Sequence, residues 1–137
     1  MIFLDTNVIS ETLRKAPDPG VLAWLARFDV ELALSTVAIA EIAYGIEMIR
    51  PDPRATRLAG GLDAWRRRFA DRIFAFTESA ALAYGAIMGE ASRSGRPMSI
   101  PDAMIAAIAH VNGGRLATRN LTDFATTGLQ LVSPWEV

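Results

Sequence analysis

Four carboxylates, those of Asp5, Glu41, Asp102 and Asp123, occupy positions where an acid can do more than solvate a surface. Asp5 directly follows the apolar run Ile2-Phe3-Leu4, which suits a strand buried on both faces of a parallel sheet. It therefore stands at the carboxyl end of a strand, the edge at which open α/β sheets bind ligands. Glu41 lies inside Val37-Ala38-Ile39-Ala40-Glu41-Ile42-Ala43, where an otherwise apolar stretch puts it at risk of burial. A buried carboxylate must be paired, hydrogen-bonded or neutralised. Asp102 falls in the first turn of an expected helix, and Asp123 follows an expected strand containing Leu116, Ala117 and Thr118. If such acids meet, their mutual repulsion needs a cation, and hard oxygen ligands select Mg²⁺ or Mn²⁺. Those ions activate water and stabilise charge in phosphodiester hydrolysis. Each acid alone has a plainer role. Asp5 or Asn7 caps a helix, Asp102 favours a helix dipole, Asp123 sits in a loop, and Glu41 pairs with an arginine. Spacing does not decide whether the four converge.

The elements that would position them follow from periodicity and punctuation. After the first strand a short helix is expected over Val8–Leu13, broken by Ala16-Pro17-Asp18-Pro19-Gly20. Val21, Leu22, Leu25 and Phe28 recur at helical spacing and predict a second helix from about Gly20 to Arg27. Leu32–Leu34 reads as a second strand. Ser35 or Thr36 then caps a helix running to about Arg50, where Pro51-Asp52-Pro53 ends it. A longer helix starts near Arg54, and Ile73–Phe76 reads as a third strand. Thr77 caps an alanine-rich helix reaching Ser92, and Ser94-Gly95-Arg96-Pro97 is a loop. Pro101 belongs to the first turn of a helix that stops at Asn112-Gly113-Gly114. Arg115–Thr118 is a strand, Asn120–Phe124 a polar loop, and Gln130–Val132 a last strand. Alternating strands and helices predict an α/β fold with a mainly parallel sheet, in one domain spanning residues 1–137.

Composition narrows the function. The 137 residues are 51% hydrophobic, enough for a packed core. No cysteine is present, which excludes disulfides and thiolate metal sites and agrees with a cytoplasmic protein. No apolar run approaches the ~20 residues of a membrane span, and Asp5 interrupts the N-terminal run before it resembles a signal peptide. The net charge of −1 argues against nonspecific nucleic-acid binding through a large positive field. Lys15 is the only lysine; every other basic residue except His110 is arginine.

Taken together, four segments resemble the PIN-domain ribonucleases of the VapC/FitB type, the toxin half of type II toxin–antitoxin pairs. They are Phe3-Leu4-Asp5-Thr6-Asn7-Val8-Ile9-Ser10-Glu11, Ser35-Thr36-Val37 through Glu41 to Glu47, Pro101-Asp102-Ala103-Met104-Ile105-Ala106, and Thr118-Arg119-Asn120-Leu121-Thr122-Asp123-Phe124. The tail from Thr127-Gly128-Leu129 to Ser133-Pro134-Trp135 adds to the likeness. The resemblance implies a three-layer α/β/α fold. It implies an acidic Mg²⁺ or Mn²⁺ pocket made by Asp5, Glu41, Asp102 and Asp123, with Asp5 and Asp102 as main ligands. Thr6 and Asn7 would support Asp5, Thr118 would assist the pocket, and Asn120 belongs to the same motif. It implies cleavage of single-strand RNA, with tRNA or another structured RNA as the expected target, by a metal-activated water. It also implies a homodimer and a cognate VapB/FitA-like antitoxin, assembled as a heterotetramer or larger. The exposed side of the Val21–Phe28 helix is the expected antitoxin contact. Met104 occupies a position that is often polar, with no evident chemical consequence.

Rival chemistries fit less well. A phosphotransferase with Asp5 as nucleophile would need, in the haloacid-dehalogenase type, an acid where Asn7 stands. Both that type and receiver domains need a lysine downstream of Lys15, and there is none. A catalytically silent PIN-like module that binds antitoxin and modulates its DNA binding stays open. Arg66-Arg67-Arg68 with Arg72 reads first as a solvated helix face, with RNA phosphates or an oligomer contact as alternatives. His110 is expected in a core or helix-surface role, and Trp24, Trp65 and Trp135 as packing residues.

Overall fold

The computed structural model describes residues 1–136. Its centre is β1 (Ile2–Leu4), whose three side chains are fully buried. Strand β1 pairs in parallel with β2 (Leu32–Ser35) on one side and β4 (Arg115–Ala117) on the other. The short strands β3 (Ile73–Phe74) and β5 (Leu131–Val132) extend the sheet outward, giving the order β3-β2-β1-β4-β5 with every pairing parallel. The chain winds outward from β1 through β2 to β3, then crosses back to β4 on β1's other side. That reversal opens a crevice at the carboxyl ends of β1 and β4.

Six helices, α1 (Thr6–Leu13), α2 (Pro19–Arg27), α3 (Thr36–Ile49), α4 (Arg54–Arg68), α5 (Glu78–Arg93) and α6 (Ile100–Val111), cover the sheet in a three-layer α/β arrangement. Their starts are chemically explicit. Asp5, Asp18, Ser35, Thr77 and Ser99 each accept a bond from a first-turn amide with their own side chain. Alanines at 103, 106, 107 and 109 of α6 are wholly buried, and these small side chains bring α6 close to the sheet and to α5. Gly114 shows the same economy of space. A Cβ there would lie 2.8 Å from the buried Phe3 ring, so only glycine lets the chain pass from α6 into β4 over β1.

The expected α/β order is therefore observed, with local differences. The third strand stops at Phe74, because β2 ends at Ser35 and offers no further backbone partner. The expected polar loop Asn120–Phe124 contains a 3-10 turn, Leu121–Phe124, anchored by the buried ring of Phe124. Helix α1 begins at Thr6 rather than Val8, because Asp5 caps it. On α3 the apolar surround of Glu41 is only partly a core face. Ile42 and Ile46 are buried, yet Tyr44 and Met48 are 67% and 65% exposed.

The arginine run on α4 is a solvated face engaged in ion pairs. Arg66 and Arg67 meet Asp63, and Arg68 meets Asp29. Arg72 instead points inward, donating to the carbonyls of Asp29 and Leu32 beside the Phe69 ring. His110 is exposed on α6. Trp24 packs on Phe28, and Trp65 stacks on Phe69 while its Nε1 donates to Thr12 Oγ1 at 2.9 Å. Trp135 lies under Arg119. Among the described residues, no helix is long and apolar enough to cross a membrane.

Candidate active site

Asp5 is both the cap of α1 and the floor of the crevice. Its backbone amide continues the β1–β4 ladder by donating to Ala117 O at 2.9 Å, which fixes Cα at the sheet edge. Its carboxylate is only 3% exposed and accepts three bonds. They come from Thr6 N (2.8 Å), Asn7 Nδ2 (3.1 Å) and Thr118 Oγ1 (2.7 Å). Thr118 immediately follows β4, so parallel register alone brings a residue 113 positions away against Asp5. The two motifs are tied once more, and the second is braced within itself. Asn7 Oδ1 accepts from Arg119 N at 3.2 Å, and Thr118 Oγ1 accepts from Asn120 N at 3.0 Å. Asn120 O in turn accepts from Asp123 N at 3.1 Å and starts the turn that carries this acid.

Glu41, half-buried on the second turn of α3, accepts from Thr6 Oγ1 at 2.5 Å. Thr6 thus holds Glu41 through its hydroxyl and Asp5 through its amide. Asp102 is half-buried in the first turn of α6, where its amide donates to Ser99 Oγ at 3.3 Å. Ser99 was not singled out from sequence, although Ser-x-x-Asp before an apolar helix is a recognisable capping signal. Asp102 and the exposed Asp123 line one cleft of about 350 Å³ together with Arg96, Ser99, Thr122 and Thr126.

The electrostatics show that the four acids share one field. Burial is the largest influence on Asp5 and pushes its carboxyl up to about 6 from an ordinary 3.8. The Thr118 and Thr6 bonds pull the other way, and the charges of Asp102 and Glu41 raise it further. Asp102 is also raised, first by burial and then by Glu41 and Asp123, against the Ser99 bond. No ion pair reaches any of the four among the described residues; the acids that do pair with arginine, such as Glu11, Asp52 and Asp63, lie elsewhere. Asp5 thus feels the charges of Asp102 and Glu41, and Asp102 those of Glu41 and Asp123; Thr6, Asn7 and Thr118 bond the carboxylates of Asp5 and Glu41, and Asn120 bonds Thr118 and the Asp123 backbone. Among the described residues, no three His, Asp or Glu side chains stand close enough together to hold a metal ion.

The Thr118 bond can be tested directly. Because this hydroxyl stabilises ionised Asp5, Thr118→Val is expected to destabilise the metal-free protein by about 1.5–3 kcal/mol at pH 8. The loss should be smaller at pH 5, where Asp5 takes up a proton. Urea unfolding at the two pH values measures the difference; an equal loss at both would count against the bond.

Comparison with known proteins places the chain in a family. The PIN domain family profile matches residues 2–128. The chain is 36% identical over 138 residues to VapC ribonuclease Y4jK of Sinorhizobium fredii, with 99% of each chain covered. It is 38% identical to plasmid stability protein StbB of Pseudomonas syringae pv. tomato over the same length, again with 99% of each covered. The crystal structure of FitAcB from Neisseria gonorrhoeae superposes with a TM-score of 0.91 at 34% identity, covering all of both chains. With a five-stranded parallel sheet in this order and a likeness to these relatives from end to end, the chain belongs to the PIN-domain family in its VapC/FitB group.

Proposed function

We propose that this protein is a metal-dependent endoribonuclease, the toxin of a type II toxin–antitoxin pair, and that it cleaves tRNA or another structured RNA. One observation carries the reading. The charges of Asp102 and Glu41 act on Asp5, those of Glu41 and Asp123 act on Asp102, and none of the four acids is paired with a cation among the described residues. Such a charge arrangement is stable only when a cation or protons are supplied. The donor set is all oxygen, from carboxylates, hydroxyls and an amide, which fits Mg²⁺ or Mn²⁺ rather than a softer metal. The names of the relatives, ribonuclease among them, support the same activity.

In this reading Asp5 and Asp102 are the main ligands, with Glu41 and Asp123 completing the pocket. A bound divalent ion supplies an activated water and neutralises charge on the phosphate. The protein's own contribution is placement. Thr118, Thr6 and Asn7 hold Asp5 in one rotamer, and the Thr6 hydroxyl restrains Glu41. Ser99 fixes the turn that presents Asp102, and Asn120 the turn that presents Asp123. Pre-set ligands cost little reorganisation when charge develops in the transition state.

The partner is a VapB/FitA-like antitoxin, in keeping with the toxin–antitoxin complex from Klebsiella pneumoniae among the structural neighbours. An apolar groove of about 360 Å³ between α1, α2 and α4, lined by Leu13, Leu22, Leu25, Trp65 and Phe69, suits its contact. The exposed Tyr44 and Met48 on α3 suit a homodimer. Purified protein incubated with total tRNA and small structured RNAs is expected to cut at discrete positions with Mg²⁺ or Mn²⁺, and not in EDTA. Bound metal without any cutting would overturn the nuclease and favour the silent, antitoxin-binding module.

A further inference from the structure

We infer that Arg96 contacts an RNA phosphate beside the acidic pocket and so helps to bind the substrate of the proposed nuclease, on which reading this inference rests. Four acids in one crevice repel a polyanion. A metal ion offsets that repulsion at the scissile phosphate only, so a neighbouring phosphate needs a cation fixed in the protein. The dense basic run is not part of this cleft: Arg66, Arg67 and Arg68 lie on α4, paired with Asp63 of the same helix and with Asp29 before β2. Arg93 is paired with Glu90, and Arg119, which also has no carboxylate partner among the described residues, lies over the Trp135 ring, 5.0 Å from its centroid, outside the cleft of Asp102 and Asp123. Arg96 is different. It lines the cleft formed with Asp102 and Asp123, and no carboxylate lies within salt-bridge distance of it among the described residues.

Its placement is built into the backbone. Helix α5 ends with Gly95 at φ +69°, a left-handed conformation that glycine adopts without strain. The amide of Gly95 donates to Ser92 O (3.1 Å) and that of Arg96 to Ala91 O (2.9 Å), so the Arg96 backbone is the last locked position of the helix cap. From there the guanidinium reaches across the cleft and donates from Nη2 to Thr122 O at 3.2 Å, in the turn that carries Asp123. That single bond leaves the other guanidinium N–H groups available, in the fork that matches two phosphate oxygens. The carbonyl bond steers the side chain along the wall of the cleft without cancelling its charge.

The test is binding of a fluorescent 12-nucleotide single-stranded RNA, read by anisotropy with Ca²⁺ in place of Mg²⁺, across a salt series. Arg96→Gln can keep a bond to Thr122 O but loses the charge. It is expected to weaken binding about 10-fold and to reduce the slope of log affinity against log salt by about 0.7, the value for one lost phosphate contact on a single strand. Arg96→Lys should keep the wild-type slope with weaker affinity, and Arg66→Gln should change neither. Wild-type affinity and slope in a folded Arg96→Gln would overturn the contact. If the unaltered protein still cut RNA with Mg²⁺, the nuclease reading would stand without it. RNA that is bound through Arg96 but never cut would support the contact and overturn the nuclease. Failure of the unaltered protein to bind the RNA would overturn both.

Discussion

Asp5→Asn should abolish metal-dependent RNA cleavage, by about 10³-fold or more, while making the metal-free protein more stable at neutral pH. The first effect follows from the proposed role of Asp5 as a main ligand, because a neutral carboxamide binds a hard cation far more weakly than a carboxylate. The second follows from the cost of keeping Asp5 charged in the fold. Its carboxyl titrates at about 6 when folded, against an ordinary 3.8. That gap of about 2 pH units corresponds to about 3 kcal/mol at 1.36 kcal/mol per unit. The sign follows from proton counting. Between pH 4 and 6 the folded state holds the proton more tightly than the unfolded chain, so stability falls as pH rises through this window and is level above it.

Asn carries no charge at any of these pH values. Its advantage in EDTA should reach about 1–3 kcal/mol at pH 8 and vanish near pH 4, the lower end allowing for the Thr118, Asn7 and Thr6 bonds it makes less well. Adding Mn²⁺ should reverse the order, because binding to the native state stabilises only the protein that binds. Thermal unfolding with and without the ion, at both pH values, measures all of this. A variant less stable than the parent at pH 8 in EDTA would show that the hydrogen bonds to Asp5 outweigh its burial and repulsion.

Phe3→Ala is expected to have the largest effect on stability alone. The ring has no exposed surface, meets Phe74 edge-on with centroids 5.3 Å apart, and fills the space that Gly114 leaves open. Truncation removes the transfer free energy of the ring and leaves a cavity in the middle strand of the sheet. The cost is about 3–5 kcal/mol. Phe3→Leu, which refills much of the volume, should lose less than half as much. Urea midpoints with an unchanged slope give both values. A loss below about 1 kcal/mol for Phe3→Ala would mean that neighbouring elements collapse into the space, and that β1 is less rigid than its burial indicates.

The two predictions meet in β1, the element whose character was most legible in the sequence. Three apolar residues before Asp-Thr-Asn announce a buried strand that ends in an acid, and the structure adds that capping and site geometry share that one acid. Local chemistry of this kind is short-ranged. A cap bonds an amide within three residues and a helix stops where proline or glycine stops it, so the starts of α3 and α5 were readable from Ser35 and Thr77, and that of α6 from Pro101 although its cap Ser99 was missed. The alternation of elements likewise announced a parallel α/β sheet.

What only the tertiary structure decided is which elements became neighbours. Apolar periodicity records that a face is to be covered, not by what. Strand order put Thr118 on Asp5 across 113 residues and Thr6 on Glu41 across 35. The same helix that looked apolar around Glu41 leaves Tyr44 and Met48 in solvent. Charge was the least readable property of all. The arginine run that dominates the sequence is paired with Asp63 and Asp29, whereas Arg96, unremarkable in a loop, lines the cleft of Asp102 and Asp123 with no carboxylate partner among the described residues. The amino-acid sequence by itself determined the local elements and the type of the acids, because caps and periods act within a turn. Whether those charges pair, repel or stay free depended on distances that only the closed sheet sets.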